Sequence, residues 1–323
     1  MAYEVGPDQA RKKLPTYGGQ ALIEGVMMRG KHKVAVAVRN PRGELVVYEE
    51  TLNPTLYRGP ISEIPFLRGL TMLWDALGIG LRALMWSAEV AVNAPGAQQS
   101  PFNRPLDLKM AAVSLSMSAG MIFLSPAIGS SIVGKVLGIH NKALTTVLEG
   151  MLRLGLVAGY ISLVGQTEQG QRLFAYHGAE HKTVNALEAG APLTPESVKR
   201  FPLEHPRCGT AFLLTVLMIS TAIQVLIGRP KLPKLILTRI ILLPIVAGIA
   251  YEVIRFASSN MNDPLVRAIV APNLLMQRLT TREPDLEMIQ VAIAAMERVL
   301  AAEEAATETD IDIDFRGQQA STL

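Results

Sequence analysis

Two histidines four residues apart, with a glutamate immediately before the second, are the first residues in this chain that could do chemistry. FAYHGAEHKTVNALE (174–188) holds His177, Glu180 and His181 in the order H-x-x-E-H. On a helix, positions i and i+4 share a face one turn apart, so both imidazoles could hold one metal ion. Zinc accepts such a pair, and the glutamate beside it is placed to deprotonate a water that the ion activates. The expected cofactor is therefore one divalent metal, zinc by the chemistry of its donors. Such a site needs a third ligand and an open position.

The candidates for that third ligand are far away in sequence. In soluble enzymes with this motif it is a distant glutamate, and Glu252 follows His181 by 71 residues. Cys208 or His205 would instead give a nitrogen and sulfur set that zinc also accepts. Glu188, seven residues beyond His181, lies about 10 Å along a helix and reads as structural. Each candidate has a plainer reading. The histidines could hydrogen-bond within a loop, Cys208 could be a small buried residue, and Glu252 could pair with Arg255 or Arg239. His32 and His140 have no partners in sequence and are assigned nothing.

These residues are carried by a membrane protein. The 323 residues are 49% apolar and 18% charged, less charge than a soluble domain usually carries. Residues 110–134 contain no charge and are longer than a hydrocarbon core requires. Three further apolar stretches follow, at 143–165, 208–228 and 235–251. The second contains Glu149 and Arg153, four apart on one face and able to neutralise one another. Its Gly155 and Gly159 form a G-x-x-x-G that either permits close helix contact or arises by chance. In 70–92, Asp75, Arg82 and Glu89 recur every seven residues, which predicts an amphipathic helix at the interface or packed on the bundle. VAVAV and LVVY flank RNPRGE, a hairpin signal that makes 17–52 a small β element. After Pro284, apolar residues at helical spacing predict a surface helix over 285–306, and then an acidic tail without a packing pattern.

The expected fold is thus mainly α, a polytopic transmembrane helix bundle of about four spans. An interfacial amphipathic helix and a small N-terminal β element complete it. The expected divisions are 1–60 (β), 61–108 (amphipathic helix and linker), 109–282 (spans and the H-x-x-E-H segment) and 283–323 (soluble helix and tail). Four spans bring His177, Glu180, His181, His205, Cys208 and Glu252 to one membrane face. Thirteen basic residues in 1–109 argue that this face, with both termini, lies in the cytoplasm. Arg104 and Lys109 are nearest the first span, while Arg229, Lys231 and Lys234 on the opposite loop argue the other way.

Charge narrows the partners. Residues 283–323 hold ten of the 28 acids and two of the 31 basic residues, so the body is basic against an acidic end. A basic body suits anionic lipid. The basic residues are scattered and not interleaved with aromatics, which argues against nucleic acid. One cysteine excludes an intrachain disulfide, and the first residues lack the apolar run of a cleavable signal. The expected partners are the lipid bilayer and a membrane-embedded or lipid-linked substrate; self-association stays open.

At YGGQALIEGVMMRG, PFLRGL, FAYHGAEHKTVNALE, HPRCGTAFL, YEVIRFAS and QRLTTREPDLEMIQVAI, the chain resembles the YqhQ-like family. That is a bacterial membrane family of unknown function, labelled as predicted metal-dependent enzymes. The resemblance covers nearly the whole chain. It marks HGAEHK, HPRCG and Tyr251–Glu252 as signatures, and also EGVMMRG, so that Glu24, Arg29 and Arg68 either reach the same face or order the β element by ion pairs.

The expected activity is metal-dependent hydrolysis, with Glu180 as general base and His177 and His181 as ligands. Glu252, Cys208 or His205 would complete the ligand set. The alternative is a non-enzymatic membrane factor in which the same cluster is a structural metal or polar clamp. A transporter lined by Glu149, Arg153 and Arg239 is the weakest reading.

Overall fold

The computed structural model describes residues 17–93, 113–114, 116–118, 120–228 and 232–320. Arg104, Lys109, Arg229 and Lys231, which bear on orientation, lie outside the described residues. Four antiparallel strands come first: β1 (Gly18–Leu22), β2 (Gly25–Arg29), β3 (Lys33–Arg39) and β4 (Leu45–Thr51), in that spatial order. The β3–β4 hairpin is the one its turn residues predict. Asn40 closes it, its side-chain oxygen accepting from the Arg42 and Glu44 amides. β1 and β2 are the addition; too short to alternate visibly, they pair Gly18 with Arg29 and Leu22 with Gly25.

Helices follow. The short α1 (Pro54–Tyr57) and α2 (Pro60–Glu63) lead to α3 (Arg68–Trp74), joined through a π-helical turn (Asp75–Gly80) to α4 (Leu81–Ala91). A second π-helical turn (Gly120–Leu124) runs into α5 (Ser125–Val136), followed by α6 (Lys142–Val164), α7 (Glu168–Glu188) and α8 (Pro195–Val198). The last four are α9 (Gly209–Ile227), α10 (Leu232–Ser259), α11 (Pro264–Thr280) and α12 (Leu286–Ala320).

Among the described residues, four helical segments are long and apolar enough to cross a membrane: Ser116–Val136, Lys142–Val164, Gly209–Ile227 and Leu237–Ser259. They match the four apolar stretches of the sequence, and the molecule is a membrane protein with a helical bundle and a small sheet. The close approach between α6 and α9 is at Gly150, where an added Cβ would lie 2.5 Å from Thr221 Cγ2. Among the described residues no neighbour comes within 4 Å of a Cβ built at Gly155 or Gly159, so the G-x-x-x-G makes no close contact with them.

Charges buried in the bundle are paired. Arg153 Nη2 lies 2.5 Å from Glu149 Oε1, and Arg239 bonds to the same carboxylate. The second π-helical turn supplies acceptors. Ile122 O takes Arg153 Nε at 3.2 Å and Phe123 O takes Arg239 Nη1 at 2.8 Å. Pro126 has no N–H to offer the Ile122 carbonyl four residues back, which leaves that oxygen for arginine.

The sheet is covered on both faces, and its alternation shows it. Val26, Met28, Ala35 and Ala37 pack with Ala175, Tyr176 and Ala179 of α7 and Ile289, Ala292 and Met296 of α12. Leu22, Met27, Val34, Val36 and Val38 pack with Tyr57 and with Trp86 and Val90 of α4. The amphipathic segment 70–92 therefore packs on protein: α3 lies against α10 and α4 against the sheet. α12 runs to Ala320, through residues expected to form an unpatterned tail. Alanine and glutamate there (AAEEAATE) have high helix propensity and continue the helix. Glu303 is held besides. It accepts the Lys31 and His32 amides and sits 2.6 Å from His32 Nδ1.

Candidate metal centre

α7 is a well-capped, polar helix set between the spans and the sheet. Thr167 caps it, accepting from the Gly170 amide at 3.0 Å, and Gly190 at φ +67° ends it. Its site face is buried. Glu180, His181, Lys182 and Thr183 are all 5% exposed or less. Burying so many polar groups is favourable only if each finds a partner.

The partners come largely from main-chain carbonyls of residues 199–205. Lys182 Nζ donates to Lys199 O at 2.8 Å and Phe201 O at 2.9 Å, and pairs with Glu283 at 2.9 Å. Asn185 Nδ2 donates to Pro202 O and Glu204 O. His181 Nδ1 donates to Leu203 O at 2.5 Å, and His177 Nδ1 to Thr280 O at 2.9 Å. Between the histidines, Gly178 leaves room for the Arg282 carbonyl and Leu203, which a Cβ would strike. Glycine in HGAEH thus lets the 282 segment lie against the helix.

A carbonyl oxygen only accepts, so both imidazoles carry their proton on Nδ1 and turn Nε2 to the other side. There they meet Cys208. His177 Nε2 is 3.2 Å from Cys208 Sγ, and the two imidazole rings stand 4.3 Å apart at 62°. One ligand atom from each of His177, His181 and Cys208 lies within 4.8 Å of the others. Cys208 caps α9, where helix N-terminal amides favour a thiolate; its sulfur takes the Thr210 amide at 3.4 Å.

The electrostatics follow from this proximity. Burial opposes ionisation of Cys208, but His177 and His181 hold its thiol well below the usual range. Burial also pushes His181 down; Cys208, then Glu180 and the Leu203 carbonyl, outweigh this and raise it to about 9. His205 goes the other way, to about 4, through burial and then His181.

The structure does not bring every expected residue to this point. Glu180 lies beside it, buried, its Oε2 3.6 Å from His181 Nε2. Strand β1 presses on that carboxylate at Gly19, where an added Cβ would be 2.5 Å from Glu180 Cγ. The His205 ring is 5.8 Å from that of His181, but its Nε2 faces Glu188 at 3.6 Å and stands outside the three-atom group. Glu188 also pairs with Arg207. Glu252 is not a ligand in this arrangement. Arg68 holds its carboxylate at 2.7 and 2.5 Å, and the Phe66 amide donates to it at 3.1 Å. A guanidinium fork on a carboxylate leaves no reason for it to turn toward the histidines. Glu24 pairs with Arg172 of α7 at 2.6 Å and Arg29 with Asp75 at 2.9 Å, so both order the sheet against its neighbours.

The donor set suits a metal ion. Two imidazole nitrogens and a sulfur converge, each imidazole is oriented by a carbonyl behind it, and His181 Nε2 is buried without a hydrogen-bond partner among the described residues. Neither the two orienting carbonyls nor the Gln277 amide that grips His205 leaves a mark in sequence. Gln277 accepts from the His205 N–H at 3.0 Å and donates to its C=O at 2.9 Å.

No solved structure matches the chain. It is 31% identical over 301 residues to the uncharacterized protein YqhQ of Bacillus subtilis (strain 168), covering 90% of this chain and 93% of that one. Residues 64–302 match the model of DUF1385, a protein family of unknown function. The chain belongs to that family.

Proposed function

We propose that His177, His181 and Cys208 hold one divalent ion, zinc by the chemistry of the donors, and that the protein is a metal-dependent hydrolase. Its substrate would be a lipid-linked or membrane-embedded molecule, a peptide among the candidates, met at the cytoplasmic face of the inner membrane. The observation that carries the reading is the pair of Nδ1–carbonyl bonds that turn both Nε2 atoms toward Cys208. A bound ion would supply Lewis-acid chemistry, polarising a carbonyl or phosphoryl oxygen and lowering the pKa of water.

The remaining work belongs to the chain. Thr280 O and Leu203 O fix the imidazole tautomers. Glu180, anchored under β1 and 3.6 Å from His181 Nε2, takes the proton from the attacking water and returns it to the leaving group. The sheet and α12 bury the site from behind and keep bulk water off that carboxylate.

One observation favours a structural metal instead: His181, Cys208 and Glu180 are all nearly inaccessible. Two measurements separate the readings. Metal analysis of the purified protein should find about one ion per chain, lost in His177→Ala and His181→Ala. Glu180→Gln should keep the ion and abolish hydrolysis of a panel of lipid-linked and peptide substrates. Retained turnover in Glu180→Gln would refute Glu180 as the base, and a metal-loaded wild type that hydrolyses none of the panel would refute the hydrolase; a wild type that stays empty under saturating zinc refutes both readings.

A further inference from the structure

α11 is built inside out. Its buried stripe is Val266, Val270, Gln277 and Thr280, with Asn273 half-buried between them. Three of those five are polar, and each has a protein partner. Asn273 Nδ2 donates to Thr215 of α9 at 3.1 Å, Gln277 grips the His205 peptide groups, and Thr280 Oγ1 donates to Gln277 O while its main-chain carbonyl receives His177 Nδ1. The outward face is apolar: Leu265, Ile269 and Leu275 are 68%, 63% and 64% exposed. The helix has two charges in 17 residues, Arg267 and Arg278, near its two ends.

A helix with polar groups turned inward and bare aliphatics outward suits lipid, not water. The surface beside it continues the pattern. α11 packs on α9 and α6, two of the membrane-crossing helices, whose own outward residues include Met218 and Met151 at 54% and 67% exposure. Arginines near the helix ends can extend along the helix and keep their charge at the headgroups.

We infer that α11 is a further membrane-embedded element, its Leu265–Ile269–Leu275 face covered by acyl chains, and that Gln277 on its inner face positions the metal site. The helix thereby joins lipid to ligand. One face rests in the bilayer, and the other carries the bonds that set His205 and His177. The bilayer seating stands alone, whereas the positioning role rests on the metal reading given above.

The seating is tested on the full chain carrying Ile269→Cys, spin-labelled in vesicles of phosphatidylcholine and phosphatidylglycerol. The wild type, whose cysteine is buried, is the labelling control. The label is expected to collide with dissolved oxygen and not with a water-soluble nickel chelate. Access by the chelate overturns the inference, and so does dipolar broadening from the label of a second copy. For the positioning role, Gln277→Ala in the same vesicles is expected to weaken zinc binding by about ten- to a hundredfold. Unchanged affinity overturns that role. A wild type that binds no zinc removes the positioning role along with the metal reading, and the oxygen result still decides where the helix lies.

Discussion

His177 Nε2 and Cys208 Sγ lie 3.2 Å apart, although one is in the middle of α7 and the other caps a membrane-crossing helix 31 residues later. This sets the first prediction. Cys208→Ser replaces the soft, readily ionised donor with a hydroxyl that stays protonated. Zinc affinity should fall on the order of a hundredfold or more. The cobalt-substituted wild type should show a thiolate charge-transfer band in the near ultraviolet, absent from Cys208→Ser.

Gly19 gives a second. Its β1 backbone lies against Glu180, and a methyl group there would sit 2.7 Å from Glu180 Oε1. Gly19→Ala should destabilise the protein by about 1–3 kcal/mol, the range for overpacking a closed site. It should also displace the carboxylate, so that hydrolysis falls further than metal content. Unfolding in detergent and metal analysis measure the two effects.

Glu252 makes a third. Its carboxylate is committed to Arg68 and the Phe66 amide. Glu252→Gln should leave bound metal unchanged while weakening the hold of α10 on the 66–68 segment. The loss of charge-assisted bonds at this half-buried place should cost about 1–3 kcal/mol in stability. Loss of metal instead would restore Glu252 as a ligand.

Glu149 is the counter-charge of two arginines within the bundle. Glu149→Gln leaves both guanidinium groups without it in a low-dielectric setting. The expected loss is about 3–5 kcal/mol, the usual cost of breaking a buried pair. Thermal unfolding in lipid nanodiscs measures it.

The fifth concerns pH. Burial raises the Asp75 carboxyl above its ordinary 3.8, although Arg29 and Tyr57 oppose the shift. Folded protein therefore keeps this proton to higher pH than unfolded chain does. The contribution of Asp75 is complete below pH 3.8 and is lost as pH rises through the folded value. Asp75→Asn removes that slope, which unfolding measured from pH 3.5 upward would reveal.

Much of this was legible in the sequence. Uncharged runs marked the spans because a bilayer imposes length and polarity together. The i, i+4 spacing put both histidines on one face. Cys208 stood at the start of a span, at the depth where α7 begins. What could not be read was which distant group answers the histidines. Glu252 and Cys208 were both on the right side of the membrane, and their separation was decided by Arg68, a residue 184 positions before Glu252. Nor could the orienting partners be read. Leu203 and Thr280 act through backbone oxygens, which every residue has. α11 is not legible because its pattern is inverted, and polar residues on a helix ordinarily mark its outer face.

The sheet made from residues 18–51 is enclosed on one side by residues 288–299, near the opposite end of the chain. A ribosome delivers those two parts in that order, with every span in between. Val26, Met28, Ala35 and Ala37 can therefore be covered only in part, by α7, until almost the whole chain has been made. α12 closes over strands that were synthesised first, and α7 is locked under them in the same event. A nascent chain cut short before residue 288 would carry the histidines and the cysteine, yet would lack the lid that completes their surroundings.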